Sequence, residues 1–249
     1  MIFPPRPAII RKVMFMRINR PMLKAEAKNC MRASKTNPYL TALLYFIACF
    51  IITRLISRLV FPSDLIHYVI DFNSYEVRLY ISPEYYGRIL VEPFAYILSL
   101  LLEVSRLLLD AGLVIFCLRA ANRAENSVWN LIDGFPLVLR LIGLYIVEGI
   151  FVFLWSLPFI IPGIIASYRY RLAIYLLIER PELGIMDCIR ESKRLMAGRK
   201  GELFVLDLSF IGWRILELIP LVSVYVAPYT ATTYACYYLA VSSSDSRAY

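Results

Sequence analysis

Eight ionisable residues fall inside runs of sequence that are otherwise apolar: Glu103, Arg106, Asp110, Glu148, Arg169, Asp207, Arg214 and Glu217. A charge held in the middle of a bilayer costs about 2.5–3.5 kcal/mol even on the mildest insertion scale, so each must be paired or must serve a function. Glu103, Arg106 and Asp110 are spaced i, i+3, i+7, which puts them on one helix face with the cation between two acids. Arg214 and Glu217 are i, i+3. Glu148 and Arg169 reach similar depth when counted from the turn at Pro158–Gly163, and this predicts an ion pair between them. Adding Arg54, Arg58 and Arg171, the apolar runs hold nearly as many acids as cations. Three chemistries fit that balance: mutual pairing in a helical bundle, a polar cavity that binds a charged solute, or a proton relay through carboxylates.

Other reactive types are sparse. His67 is the sole histidine, which argues against a His-based catalytic or metal site. The cysteines, Cys30, Cys49, Cys117, Cys188 and Cys236, form no CxxC pair, so neither a metal cluster nor a disulfide framework is expected. The chain has no phosphate-binding Walker loop, no HExxH and no GxSxG elbow. The expectation is a non-enzyme with no cofactor and no metal.

The elements that must position these charges are six apolar stretches: about 38–59, 93–118, 137–157, 163–178, 203–219 and 221–241. A span needs about 20 residues to cross a hydrocarbon core of roughly 30 Å, and these fit. Backbone polar groups in lipid must be bonded internally, so the spans are helices. The fold class expected is all-α: a polytopic membrane bundle of six transmembrane helices in a bacterial cell membrane. Hydrophobic residues make up 59% of the chain, more apolar surface than a soluble domain of 249 residues can bury.

Lys and Arg set the orientation. The segment 1–37 carries Arg6, Arg11, Lys12, Arg17, Arg20, Lys24, Lys28, Arg32 and Lys35 against the single acid Glu26, whereas the stretch 61–92 holds only Arg78 and Arg88 as cations. The positive-inside rule therefore places both termini in the cytoplasm and 61–92 outside, where its tyrosines suit the membrane interface. The net charge of +8 is topogenic and meets anionic lipid on the cytoplasmic face, with no nucleic acid implied. Residues 23–31 read as a short basic helix on the membrane surface or as plain topogenic charge. Residues 180–201 form a cytoplasmic amphipathic segment, with Leu183, Met186, Ile189 and Met196 on its apolar side. The tail 242–249 is expected to be disordered.

Proline and glycine raise one more question. Pro158, Pro162 and Gly163 make either a tight turn or the half-helix ends of a broken-helix site, and the turn is the simpler reading. Pro228 lies inside the sixth stretch and should kink it, with Tyr229, Thr230, Thr232, Thr233 and Tyr234 supplying hydroxyls nearby.

The densest pattern runs from Pro162-Gly163-Ile164 through Tyr168, Tyr170, Glu179, Ser192-Lys193, Met196, Gly198, Lys200 and Phe204. It continues through Leu208-Ser209-Phe210-Ile211-Gly212-Trp213 to Pro228-Tyr229 and Tyr237-Tyr238. It resembles an uncharacterised bacterial integral-membrane family, the domain of unknown function nine hundred seventy-five. The resemblance implies a helical membrane bundle without an assigned activity. That family is distantly similar to the membrane domain of some glycerophosphodiester phosphodiesterases, which implies a shared bundle and not the phosphodiesterase reaction. Family members begin shortly before a segment like Asn19–Lys24, so Met14 or Met16 is an alternative first residue.

Two functions remain open on sequence. One is a non-catalytic accessory or scaffold in envelope or export processes, working with a membrane-protein partner. The other is a small-solute or lipid transporter with a charged intramembrane site, which at this size calls for a homodimer.

Overall fold

The computed structural model describes residues 20–60, 66–71, 76–81, 92–216 and 220–245. Ten helices are found among them: α1 (Arg20–Arg32), α2 (Pro38–Val60), α3 (Glu92–Ala121), α4 (Val138–Ser156), α5 (Ile160–Tyr170), α6 (Ala173–Glu179), α7 (Ile185–Leu195), α8 (Lys200–Leu208), α9 (Ile211–Leu216) and α10 (Pro220–Asp245). Two 3₁₀ turns, Val128–Leu131 and Phe135–Leu137, join α3 to α4. Three stretches are long and apolar enough to cross a membrane: Pro38–Ile56, Val128–Ser156 and Ile160–Glu179. Around α4 and α5, Leu139, Ile146, Ile150, Phe153, Ile160 and Ile161 are all exposed. Contiguous apolar surface of this kind suits lipid better than water.

The chain forms two compact units, residues 46–107 and the remainder. The smaller unit departs from the all-α expectation. Strands β1 (Ile66–Asp71) and β2 (Glu76–Ile81) pair antiparallel, with Ile66 opposite Ile81 and Val69 opposite Arg78. Val69, Ile70, Val77 and Ile81 are β-branched and Tyr68 and Tyr80 aromatic, the types that favour extended pairing. The interfacial tyrosines of 61–92 thus occupy, in part, a hairpin.

Among its described residues the larger unit holds helices joined by turns and loops, with no strand. Its α1 buries one face in the protein. Leu23, Ala27, Cys30 and Met31 are all at most 5% exposed, and the helix packs along α10. Their i, i+4, i+7, i+8 spacing makes an apolar stripe that the many flanking cations obscure. Glu26 is also buried, and Arg123 pairs with it at 3.3 Å.

α4 and α5 form a hairpin whose closeness depends on Gly163. A Cβ there would lie 1.9 Å from the Ser156 Oγ and 2.9 Å from its Cβ. Pro162 is the third residue of α5, where its missing N–H would have had no helical acceptor. The turn itself is therefore short, residues 157–159, and Pro162 and Gly163 lie in the first turn of α5.

Two helices are broken elsewhere. α5 and α6 are interrupted at Arg171-Leu172, and α8 and α9 at Ser209-Phe210. α10, by contrast, runs unbroken past Pro228, and the Thr230 hydroxyl donates to the carbonyls of Val226 and Ala227. The same helix continues to Asp245, so Ser242–Asp245 are helical and not a disordered tail. Ser242 and Ser243 are buried, and the Ser243 Oγ donates to Leu239 O at 2.6 Å. The Ser243 hydroxyl thus bonds back to the preceding turn, as serines in helices do.

The amphipathic segment is helical over α7, and Ile189 and Met196 are buried as expected, but Met186 is not. Cys188, Ile189, Ser192 and Leu195 are buried, while Met186 is 52% exposed. Ser192 displaces a hydrophobe from the inner face because it has bonds to make there.

Candidate functional site

Both helix breaks are closed by side chains from distant sequence. The Ser192 Oγ on α7 donates to Arg169 O at 3.0 Å and accepts from the Leu172 N–H at 3.2 Å. It thereby satisfies one carbonyl and one amide freed by the break between α5 and α6. At the second break the Lys24 Nζ on α1 donates to Ser209 O at 3.1 Å and lies 4.0 Å from the centre of the Phe210 ring. Burial, with Arg20 and Lys28 close by, pulls the Lys24 ammonium below the ordinary lysine pKa.

The polar group beside these breaks centres on Asp207. The Tyr168 hydroxyl donates to its Oδ2 at 2.8 Å, and the Tyr234 hydroxyl donates to its Oδ1. Arg214 Nη2 donates in turn to the Tyr234 oxygen at 3.4 Å. The Arg171 guanidinium lies 5.1 Å from the centre of the Tyr234 ring. A carboxylate from α8, a tyrosine from α5, a tyrosine from α10 and arginines from α9 and the first break therefore meet in one place. Asp207 and Tyr168 are half-buried and Tyr234 is buried, whereas Arg171 and Arg214 are exposed.

Arg171 is the pivot of the electrostatics. Its charge reaches Glu148, Tyr145, Tyr168, Tyr175 and Tyr234. Among the described residues it makes no ion pair. A guanidinium carries five N–H donors in a planar fork, and one stacked on a ring keeps those donors for an anionic group. Among the described residues no group of His, Cys, Asp and Glu could hold a metal ion.

The expected Glu148–Arg169 pair is not found among the described residues. Arg169 instead lies over Trp155, 5.6 Å from its ring centre. Side chains on a helix lean toward its N-terminus, which carries the Arg169 head back along α5 toward the turn and away from Glu148. Arg171, two residues on and at the break, is near enough for its charge to reach Glu148, without an ion pair between them. Asp110 accepts from the Tyr45 hydroxyl. Glu103 and Arg106 belong to the smaller unit and are exposed. Glu217 lies outside the described residues.

Residues 159–245 match the family model described as Protein of unknown function (DUF975). The match covers about a third of the chain. No curated protein and no solved structure matches.

The stretch matched by the DUF975 model holds Tyr168, Arg171, Asp207, Arg214 and Tyr234, so the whole Asp207 group lies within it. Phe210 and Trp213, from the string at 208–213, help build an aromatic cluster. Phe210 meets Tyr229 edge-on at 5.6 Å, and Trp213 meets Tyr229 at 6.4 Å. The Lys28 Nζ lies 5.4 Å from the Tyr229 ring centre. Gly198 has φ +73°, a conformation glycine adopts without strain. Pro162 and Gly163 shape the α4–α5 turn, Pro228 immediately precedes Tyr229 within α10, and Gly212 has open space around it. Lys193 is exposed and Lys200 is half-buried.

Hydropathy reasoning missed Tyr168, Tyr234 and Lys24 as site residues. A tyrosine hydroxyl raises no charge penalty and so leaves no mark in a hydropathy scan. Lys24 was hidden among eight other cations. Its role can be tested directly: Lys24→Met keeps the stem but removes the ammonium from Ser209 O and the Phe210 ring. The contact is partly exposed, so a loss of about 1 kcal/mol is expected, read as a lower thermal midpoint in detergent.

Proposed function

We propose that this chain is a non-catalytic, six-crossing protein of a bacterial cell membrane with both termini in the cytoplasm, and that it handles an anionic solute or lipid group at Arg171. The observation that carries the reading is the meeting of two broken helices beside an exposed guanidinium that makes no ion pair among the described residues. In membrane proteins irregular backbone is tolerated where it is buried in protein or lines a cavity, and broken helices mark many solute sites. The Tyr168–Asp207–Tyr234 group supports this reading as a rigid wall, because each oxygen of the carboxylate is already held by a hydroxyl. The six crossings follow from the apolar stretches, and the orientation follows from the Lys/Arg asymmetry.

The accessory or scaffold reading is favoured by one observation of its own. The Asp207 group needs no ligand to complete its hydrogen bonds, so the polar cluster is also consistent with plain structural glue.

Neutralising Arg171 separates the two. The protein is extracted in its own lipids and examined by native mass spectrometry, with thermal unfolding in parallel. The handling reading expects a bound anionic molecule in the native protein that is lost in Arg171→Gln, with the thermal midpoint retained. A lowered midpoint, or no bound molecule in the native protein, sinks it in favour of the structural role.

A further inference from the structure

Away from the Asp207 group, a cavity of about 410 Å³ opens between the start of α1 and the first turns of α8. Its volume lies in the range of small-molecule sites. Arg20 and Glu202 are the charged residues that line it, Gly198 and Gly201 leave open space along one wall, and Val205 and Tyr237 supply apolar surface.

The two charges do not satisfy one another. Among the described residues Arg20 and Glu202 form no ion pair, and the Glu202 carboxylate accepts no hydrogen bond, although it is half-buried. Glu202 is close enough for its charge to reach Tyr237. A cavity that holds opposite charges apart is complementary to a ligand carrying both signs. Phe204 and Leu208 are exposed on α8 beside the residues that line the cavity, one helical turn apart. They do not line the cavity, and Phe204 also meets Tyr168 edge-on at 5.9 Å, but exposed apolar side chains beside it offer a surface to an acyl chain.

From this we infer that the cavity binds a zwitterionic aminophosphate group, with Arg20 on the phosphate and Glu202 on the ammonium, and that its source is the headgroup of an ethanolamine phospholipid. This differs from general attraction of the basic chain to anionic lipid, because Glu202 repels an anionic headgroup.

The test uses the purified full chain in detergent, titrated with ethanolamine and glycerol phospholipids of the same acyl chains and with soluble glycerophosphoethanolamine. Binding is read by native mass spectrometry. The expected result is about tenfold tighter binding of the ethanolamine lipid, a free-energy difference of about 1.4 kcal/mol. Glu202→Gln should abolish that preference, and Arg20→Gln should weaken both lipids. The soluble headgroup should bind more weakly than the lipid. Equal binding of the two lipids to the native chain, or a preference that survives in Glu202→Gln, overturns the proposal. A soluble headgroup that binds as tightly as the lipid overturns the lipid as its source. Thermal midpoints of both variants without added lipid show whether they fold.

Discussion

Replacing Ser192 with alanine is expected to lower stability by about 2–4 kcal/mol, although it removes a single oxygen. Ser192 is fully buried, and its hydroxyl bonds Arg169 O and the Leu172 N–H at once. Both are backbone groups exposed by the break between α5 and α6. Losing one hydrogen-bond partner in a buried site costs the full desolvation of the group left behind, about 1–3 kcal/mol. Here two groups are left, and alanine leaves no room for water to replace the hydroxyl. A midpoint unchanged from the native protein would show that the hydroxyl is not what holds the break. Ser192→Thr keeps the oxygen and should recover part of the loss, whereas a purely steric role for the site would make threonine the worse variant. The effect should reach the Asp207 group too, since Arg171 sits between the two bonded residues. Any ligand held by Arg171 should therefore weaken in Ser192→Ala together with stability.

The same serine illustrates how much of the molecule the sequence discloses. The pattern Ser192-Lys193 stands out as a motif, and α7 is legible from its periodicity, yet a serine on the inner face of an amphipathic helix contradicts the pattern that reveals the helix. Only knowing that α5 breaks at Arg171 explains it, and nothing in an apolar run with two arginines announces a break. Helix positions were readable because hydropathy depends on composition over about 20 residues. α2, α4 and α10 therefore begin within a few residues of where their apolar runs begin. Partners were not readable, because they depend on the rotation of each helix. Arg169, level with Glu148 by residue count, lies over Trp155 instead. Likewise the cations that dominate the composition of α1 suit a surface helix or plain topogenic charge, while its packing depends on Leu23, Ala27, Cys30 and Met31. The hairpin of β1 and β2 was hidden by a loop whose tyrosines are as consistent with an interface as with a strand.

The second large effect is expected at Gly112, which no motif marks. It lies in α3, where alanine would ordinarily gain about 1 kcal/mol of helix propensity over glycine. In the folded chain that gain is outweighed. A Cβ on Gly112 would sit 2.1 Å from Leu131 O and 2.5 Å from Leu131 Cα. Those are backbone atoms of the 3₁₀ turn Val128–Leu131, so no rotamer change can relieve the clash. The turn cannot easily retreat. Ser127 and Asn130 cap it reciprocally, Asp133 just beyond it is paired to Arg119 at 3.1 Å, and Leu131 packs with Leu113, Phe116 and Cys117 in one core cluster. Overpacking of a well-filled core costs about 1–3 kcal/mol, and a collision with anchored backbone belongs at or above the top of that range. Gly112→Ala should therefore give little folded protein when detergent extracts are run on a sizing column. At Gly149, where nothing lies within 4 Å of a Cβ, the same change should be neutral or mildly stabilising. If both variants behave alike, α3 does not approach the 3₁₀ turn as closely as the structure places it.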